Sequence, residues 1–142
     1  MYSDILLAVD ISEEQPQAKA IETAVRLTES FSSRLHIITV VPDFGKSMVG
    51  TFFPEGYEET ALEKARSALH AFVAEHVPGD LDVHHIVGHG TIYREIIRHA
   101  DETGCDLIIM ASHRPELSDY LLGPNAARVV RHARQSVMVV RS

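Results

Sequence analysis

The chain has a single cysteine, Cys105, among 142 residues. One thiol excludes an intramolecular disulfide and a cysteine-cluster metal site. Cys105 follows Gly104 and precedes Asp106 and an apolar run, the setting of a buried core thiol. A basic excess is also lacking: 20 Asp and Glu stand against 13 Lys and Arg, a formal charge of −7. That balance opposes a nucleic-acid-coating role, which needs a basic face. It leaves room for a small anionic ligand, because a nest of backbone N–H groups holds phosphate even in an acidic protein. No apolar run is long enough to cross a membrane. The first, Ile5–Val9, follows Met1-Tyr2-Ser3-Asp4, which lacks the basic region of a signal peptide. The expectation is a cytoplasmic protein without nucleic-acid or membrane partners.

Signatures of catalysis and of metal binding are equally scarce. The sequence contains no Gly-x4-Gly-Lys-(Ser/Thr) phosphate loop, no nucleophile elbow and no Ser-His-Asp pattern. Nine histidines are many for this length, yet no His-x3-His pair falls on a predicted helix. His84 and His85 are neighbours in a predicted strand, point to opposite faces and do not readily share one metal. A metal site of protein ligands alone is not expected. Without a lysine-bearing phosphate loop or an evident base, efficient phosphoryl transfer is not expected either.

What is present describes one globular domain, expected to span residues 1–142. The 45% hydrophobic and 23% charged content is ordinary for a soluble fold. A domain of this size buries about two-thirds of its unfolded surface and needs no metal or disulfide staple. Four short apolar runs read as strands: Ile5–Val9, Leu35–Val41, Leu107–Ala111 and Val137–Val140. They are continuous rather than alternating, which indicates strands covered on both faces of a parallel sheet. A fifth, alternating run, Leu81–Val87, reads as a weaker strand. Helical stripes lie between them at Ala18–Ser30, Glu58–His76, Ile92–Glu102 and Pro124–Ala133. Strict alternation of strand and helix predicts an open parallel sheet wound on both faces. Gly88-His89-Gly90 reads as a tight strand-to-helix turn. The segment from Pro42 to Gly56 reads as a long binding or mobile loop.

In such sheets a ligand sits beyond the carboxyl ends of the strands, where the strand order reverses. Asp10 follows the first strand, as a cap of the next helix or of the loop, or as a ligand contact. The fourth strand runs into Ala111-Ser112-His113-Arg114-Pro115, and that loop ends at Gly123-Pro124-Asn125-Ala126. Pro124 suits the first helical position. Asn125 and Ala126 still offer backbone N–H groups to an anion at that helix end, although most helix ends bind only water. The last strand, Ser136–Arg141, is an apolar edge that invites pairing.

Val9-Asp10-Ile11-Ser12, Thr39-Val40-Val41, Gly88, Met110-Ala111-Ser112-His113 through Gly123, and Arg131-His132-Ala133 to Arg141 together resemble the universal stress protein family. The resemblance covers essentially the whole chain, and its last third is the specific part. It implies an α/β fold with a five-stranded parallel sheet of order 3-2-1-4-5 and helices on both faces. That fold is Rossmann-like, of the adenine nucleotide alpha hydrolase-like type. Many family members bind ATP between strands 1 and 4, and others act as dimeric stress regulators without nucleotide. The implied nucleotide-binding residues are Ala8, Val9, Asp10, Val40, Met110, Ala111, His113, Arg114, Gly123, Pro124, Asn125 and Ala126. The ligand is ATP or ADP, with or without Mg²⁺. Asp10 would meet adenine, ribose or Mg²⁺, and the backbone of Val40 would meet adenine. His113 would touch ribose or phosphate, or be solvated.

Nucleotide-binding members carry Gly-x2-Gly-x9-Gly-(Ser/Thr) after strand 4. Here Ala111 and Arg114 replace the first two glycines, the spacer to Gly123 is one residue shorter, and Pro124 replaces the hydroxyl residue. Each donor lost to a charged phosphate costs on the order of 1.5–3 kcal/mol. A bidentate Arg114 offers compensation. The resemblance also implies a homodimer through Val137–Val140. The function expected is a dimeric, nucleotide-binding regulatory module in the stress response. The alternatives are a nucleotide-independent interaction module and a slow ATPase or autokinase.

Overall fold

The run Asp-Ile-Leu-Leu-Ala near the start of the chain forms the central strand, β1 (Asp4–Ala8). Ile5, Leu6 and Leu7 are fully buried, so both faces of this strand are covered. The structure, a computed structural model, describes residues 1–11, 17–42, 56–112 and 124–141. The further elements are α1 (Ala18–Phe31), β2 (Arg34–Pro42), α2 (Tyr57–His76), β3 (Val83–Gly90), α3 (Ile92–Glu102), β4 (Leu107–Ser112), α4 (Pro124–His132) and β5 (Ser136–Arg141). The sheet is parallel throughout, in the order β3-β2-β1-β4-β5. The chain winds outward from β1 through β2 to β3, then returns to add β4 and β5 on the other side. The order therefore reverses between β1 and β4.

Alternation along each strand divides the core in two. Ile5, Leu7, Leu35 and Ile37 face one layer, which includes Ala24 of α1 and Leu69 of α2. Leu6, Ile38 and Ile108 face the other, with Ile96 of α3 and Val129 of α4. Burying each large aliphatic side chain stabilises the fold by about 1.5–3 kcal/mol. Cys105 belongs to the second layer, 4% exposed, as its setting in the sequence indicates.

Two local expectations are corrected. Gly88-His89-Gly90 is not a turn: it continues β3, paired in register with Val40, Val41 and Pro42. Only Gly90, with φ +132°, needs the freedom of glycine as the strand ends. Gly88 has a different reason, since a Cβ there would lie 3.2 Å from Cβ of Glu95 on α3. Asp10 does not cap α1, which begins eight residues later behind Gln17. Of the long segment between β2 and α2, residues 43–55 lie outside the described residues.

Candidate functional site

At the reversal point, Ala8 of β1 pairs with Ile38 of β2 on one side and Met110 of β4 on the other. Ala8 is small, and the chain beyond it leaves the sheet, so the carboxyl ends of these strands border open space. The amino-terminal turns of α3 and α4 close the opposite wall. The result is a cavity of about 470 Å³, within the range of small-molecule sites.

Nine of the twelve residues predicted from sequence line this cavity. Ala8, Val9 and Asp10 line the cavity from the end of β1. Val40 lines it from β2, and Met110 and Ala111 from β4. Pro124, Asn125 and Ala126 line it from the first turn of α4, where Pro124 is the first helical residue as expected. His113, Arg114 and Gly123 lie outside the described residues. Seven further lining residues escaped the sequence reading. Ile38 was legible, because it sits two positions before Val40 and shares its strand face. Ile92 and Ile96 were legible as one stripe of α3. Thr39, Pro42 and Ser112 border residues already singled out. Gln17 carried no signal at all.

Gln17 is 5% exposed and holds the end of β1 in place. Its side-chain Oε1 accepts the backbone N–H of Asp10 at 2.5 Å, and its Nε2 donates to the Asp10 carbonyl at 2.6 Å. One residue earlier, Val9 N–H still donates to Ile38 carbonyl at 2.9 Å. The primary amide thus acts as a one-residue strand partner where the sheet has run out, and satisfies backbone groups that otherwise need water.

The α3 wall is fixed by Glu95. Its carboxylate accepts His89 N–H at 3.1 Å and two Arg98 N–H bonds at 2.8 Å. The Arg98 guanidinium holds this carboxyl below the usual carboxylate range. One side chain therefore ties the end of β3 to the helix that walls the cavity.

The wall is mostly apolar around Ile38, Val40, Ile92 and Met110, and polar toward Asp10, Ser112 and Asn125. That division suits a flat, largely apolar ring at one end and hydroxyl or anionic groups at the other. Asn125 and Ala126 occupy the α4 turn in which backbone N–H groups lack intrahelical partners, the positive end of the helix dipole.

The sequence profile of the Universal stress protein family matches residues 1–141. Universal stress protein G of Escherichia coli O157:H7 is 29% identical over 143 residues, covering 99% of this chain and 100% of that protein. A universal stress protein in complex with cAMP superposes with a TM-score of 0.62 at 20% identity, over 99% of this chain and 97% of that one. A universal stress protein from Archaeoglobus fulgidus in complex with dAMP gives 0.66 at 15% identity, over 99% and 98%. Fold, strand order and whole-length match agree, and the chain belongs to the universal stress protein family.

Proposed function

We propose that the cavity between β1 and β4 binds an adenine nucleotide, ATP or ADP, with Mg²⁺ where the phosphates take one. The observation that carries this reading is the cavity itself: an apolar recess ending in polar groups, at the switch point of a doubly wound sheet. Relatives of the same fold are complexed with cAMP and dAMP. In this reading adenine lies against Val40 and Met110, with ribose near Ala8, Val9, Asp10 and Ala111. The phosphates meet the free N–H groups of Asn125 and Ala126, with His113, Arg114 and Gly123 completing that end. Arg114 pairs with phosphate in place of the hydroxyl and N–H that Pro124 cannot supply. The nucleotide-bound protein acts as a dimeric regulatory module of the stress response.

The deciding measurement is thermal or urea denaturation with and without ATP and Mg²⁺. A ligand at a hundred times its Kd adds about 2.7 kcal/mol of stability. No shift at millimolar ATP rejects nucleotide binding. It favours a second reading, a nucleotide-independent interaction module, to which the missing donor at Pro124 points. A shift without product on chromatography separates a binding module from a slow ATPase or autokinase. Arg114→Ala should weaken ATP more than adenosine, and equal losses reject its phosphate role.

A further inference from the structure

At the other end of the sheet, three polar side chains are linked on the face that α3 covers. Asp4 of β1, His36 of β2 and His84 of β3 come from adjacent strands, and His36 and His84 are register partners. Asp4 Oδ1 lies 2.8 Å from His36 Nε2, and His36 Nδ1 lies 2.8 Å from His84 Nδ1. His36 is buried, 3% exposed, while His84 reaches solvent. Among the described residues no three ligating side chains are placed to hold a metal ion, so the cluster is a hydrogen-bonded chain.

Counting hydrogens fixes its states. Two imidazole nitrogens 2.8 Å apart share one hydrogen. With none, two lone pairs collide; with two, a pair of N–H groups does. The Asp4 carboxylate is an acceptor and draws the His36 hydrogen onto Nε2. His36 Nδ1 then accepts, His84 Nδ1 donates, and the His84 Nε2 lone pair faces out. A first added proton goes to that outer nitrogen and leaves the contact whole. A second requires hydrogens on both facing nitrogens, and the rings part. The two protons belong to the pair rather than to either ring.

The surroundings of His84 oppose the first of these protons. Burial, the facing His36 and Arg34 of β2 hold His84 below its ordinary value. From α3, His99 faces the cluster; burial and then Arg98 hold it below its ordinary value, against Glu95 and Glu102. Cys105 and Asp106 border Asp4, and Asp106 accepts the Asp4 N–H at 3.2 Å. His85 and its ring partner His70 lie on the opposite face of the sheet. The helix α3 carries His99 toward this end and Ile92 and Ile96 into the cavity wall.

We propose that the Asp4–His36–His84 chain is a proton-operated regulator of the cavity. Charging both imidazoles separates β3 from β2 beneath α3, and the helix passes the change to the wall formed by Ile92 and Ile96. The effect on ligand affinity rests on the nucleotide reading; the separation of the rings does not.

The test is NMR of the full chain, labelled with ¹⁵N and with ¹³C at isoleucine methyls, from about pH 8 to about pH 4.5, the range that spans histidine titration. Expected at the upper end are a ¹⁵N–¹⁵N coupling between His36 and His84 Nδ1 and a hydrogen on His84 Nδ1. On acidification the coupling is lost, and the Ile92 and Ile96 methyls shift with it. In His84→Gln and in His36→Phe these methyls do not follow that titration. A hydrogen on His84 Nε2 without coupling overturns the chain, and static methyls overturn the regulation. Adenosine, which does not titrate in this range, is the affinity probe. Its Kd should rise by about fivefold or more over the same interval in the wild type alone, a coupling of ordinary allosteric size. Failure of adenosine to bind at any pH rejects the nucleotide reading and leaves the methyl result to judge the device.

Discussion

Gln17 and Asp10 form a closed ring of two hydrogen bonds, side-chain amide to backbone amide, at the point where β1 leaves the sheet. Such a ring needs one donor and one acceptor on the same planar group, which only Gln or Asn provides. It fixes the peptide that borders the cavity. Gln17→Ala should destabilise the protein by about 1–3 kcal/mol, the net worth of the two part-buried hydrogen bonds to Asp10 that it removes. Gln17→Glu should be at least as harmful, since a carboxylate oxygen then faces the Asp10 carbonyl. Urea denaturation of both variants checks this. Equal stability of wild type and Gln17→Ala would refute the clamp.

Glu95 predicts a pH dependence. Its folded carboxyl is held below the usual range, first by the Arg98 hydrogen bonds. A depressed carboxyl contributes stability that is present above the unfolded pKa, about 4.3. That contribution disappears as pH falls through the lower, folded value. Glu95→Gln should cost about 1.5–3 kcal/mol near neutrality, the worth of bonds to a charged group. It should also flatten the stability profile below about pH 4.5. An unchanged acid slope in Glu95→Gln would assign the acid sensitivity to other carboxylates.

The elements were legible because burial on both faces leaves a continuous apolar run. Ile5–Val9 and Leu107–Ala111 each fall within one residue of the observed strand at either end. Strand order was not readable from periodicity, which gives faces but not neighbours; it came through the family resemblance. The misread element was the end of β3. Gly88 and Gly90 look like turn residues, yet Gly88 serves close packing against Glu95. Only three-dimensional contact distinguishes those uses. The cavity followed from strand ends, so Asp10, Met110 and Asn125 could be named in advance. Gln17 could not, because its partner is backbone and backbone has no sequence identity.

Cys105 should be inert while the protein is folded. Burial pushes its thiol up to about 11, against a smaller opposing effect of Thr103 Oγ1 at 3.2 Å. The thiolate is the reactive species, so near neutrality little of it forms. Labelling with a disulfide reagent at about pH 7.5 should proceed only through unfolding and accelerate in urea. Rapid stoichiometric labelling of the native protein would show the second core layer to be open at this position.

The outer edge of β5 is the surface on which a twofold dimer is expected. Met138 is 36% exposed, and Val137 and Val139 are half-buried on this last strand of the sheet. Within the described sheet only β4 pairs with β5, so one row of its backbone N–H and C=O groups faces outward. Apolar side chains beside a free row of this kind are a template for another strand. Antiparallel pairing of two copies through Val137–Val140 satisfies both rows at once and closes the sheet edge by symmetry. Light scattering at micromolar concentration should give twice the chain mass. Met138→Lys places a charge on that edge and should yield monomers with an unchanged far-ultraviolet circular dichroism spectrum. A wild-type monomer, or a Met138→Lys dimer of wild-type affinity, would move the interface away from β5.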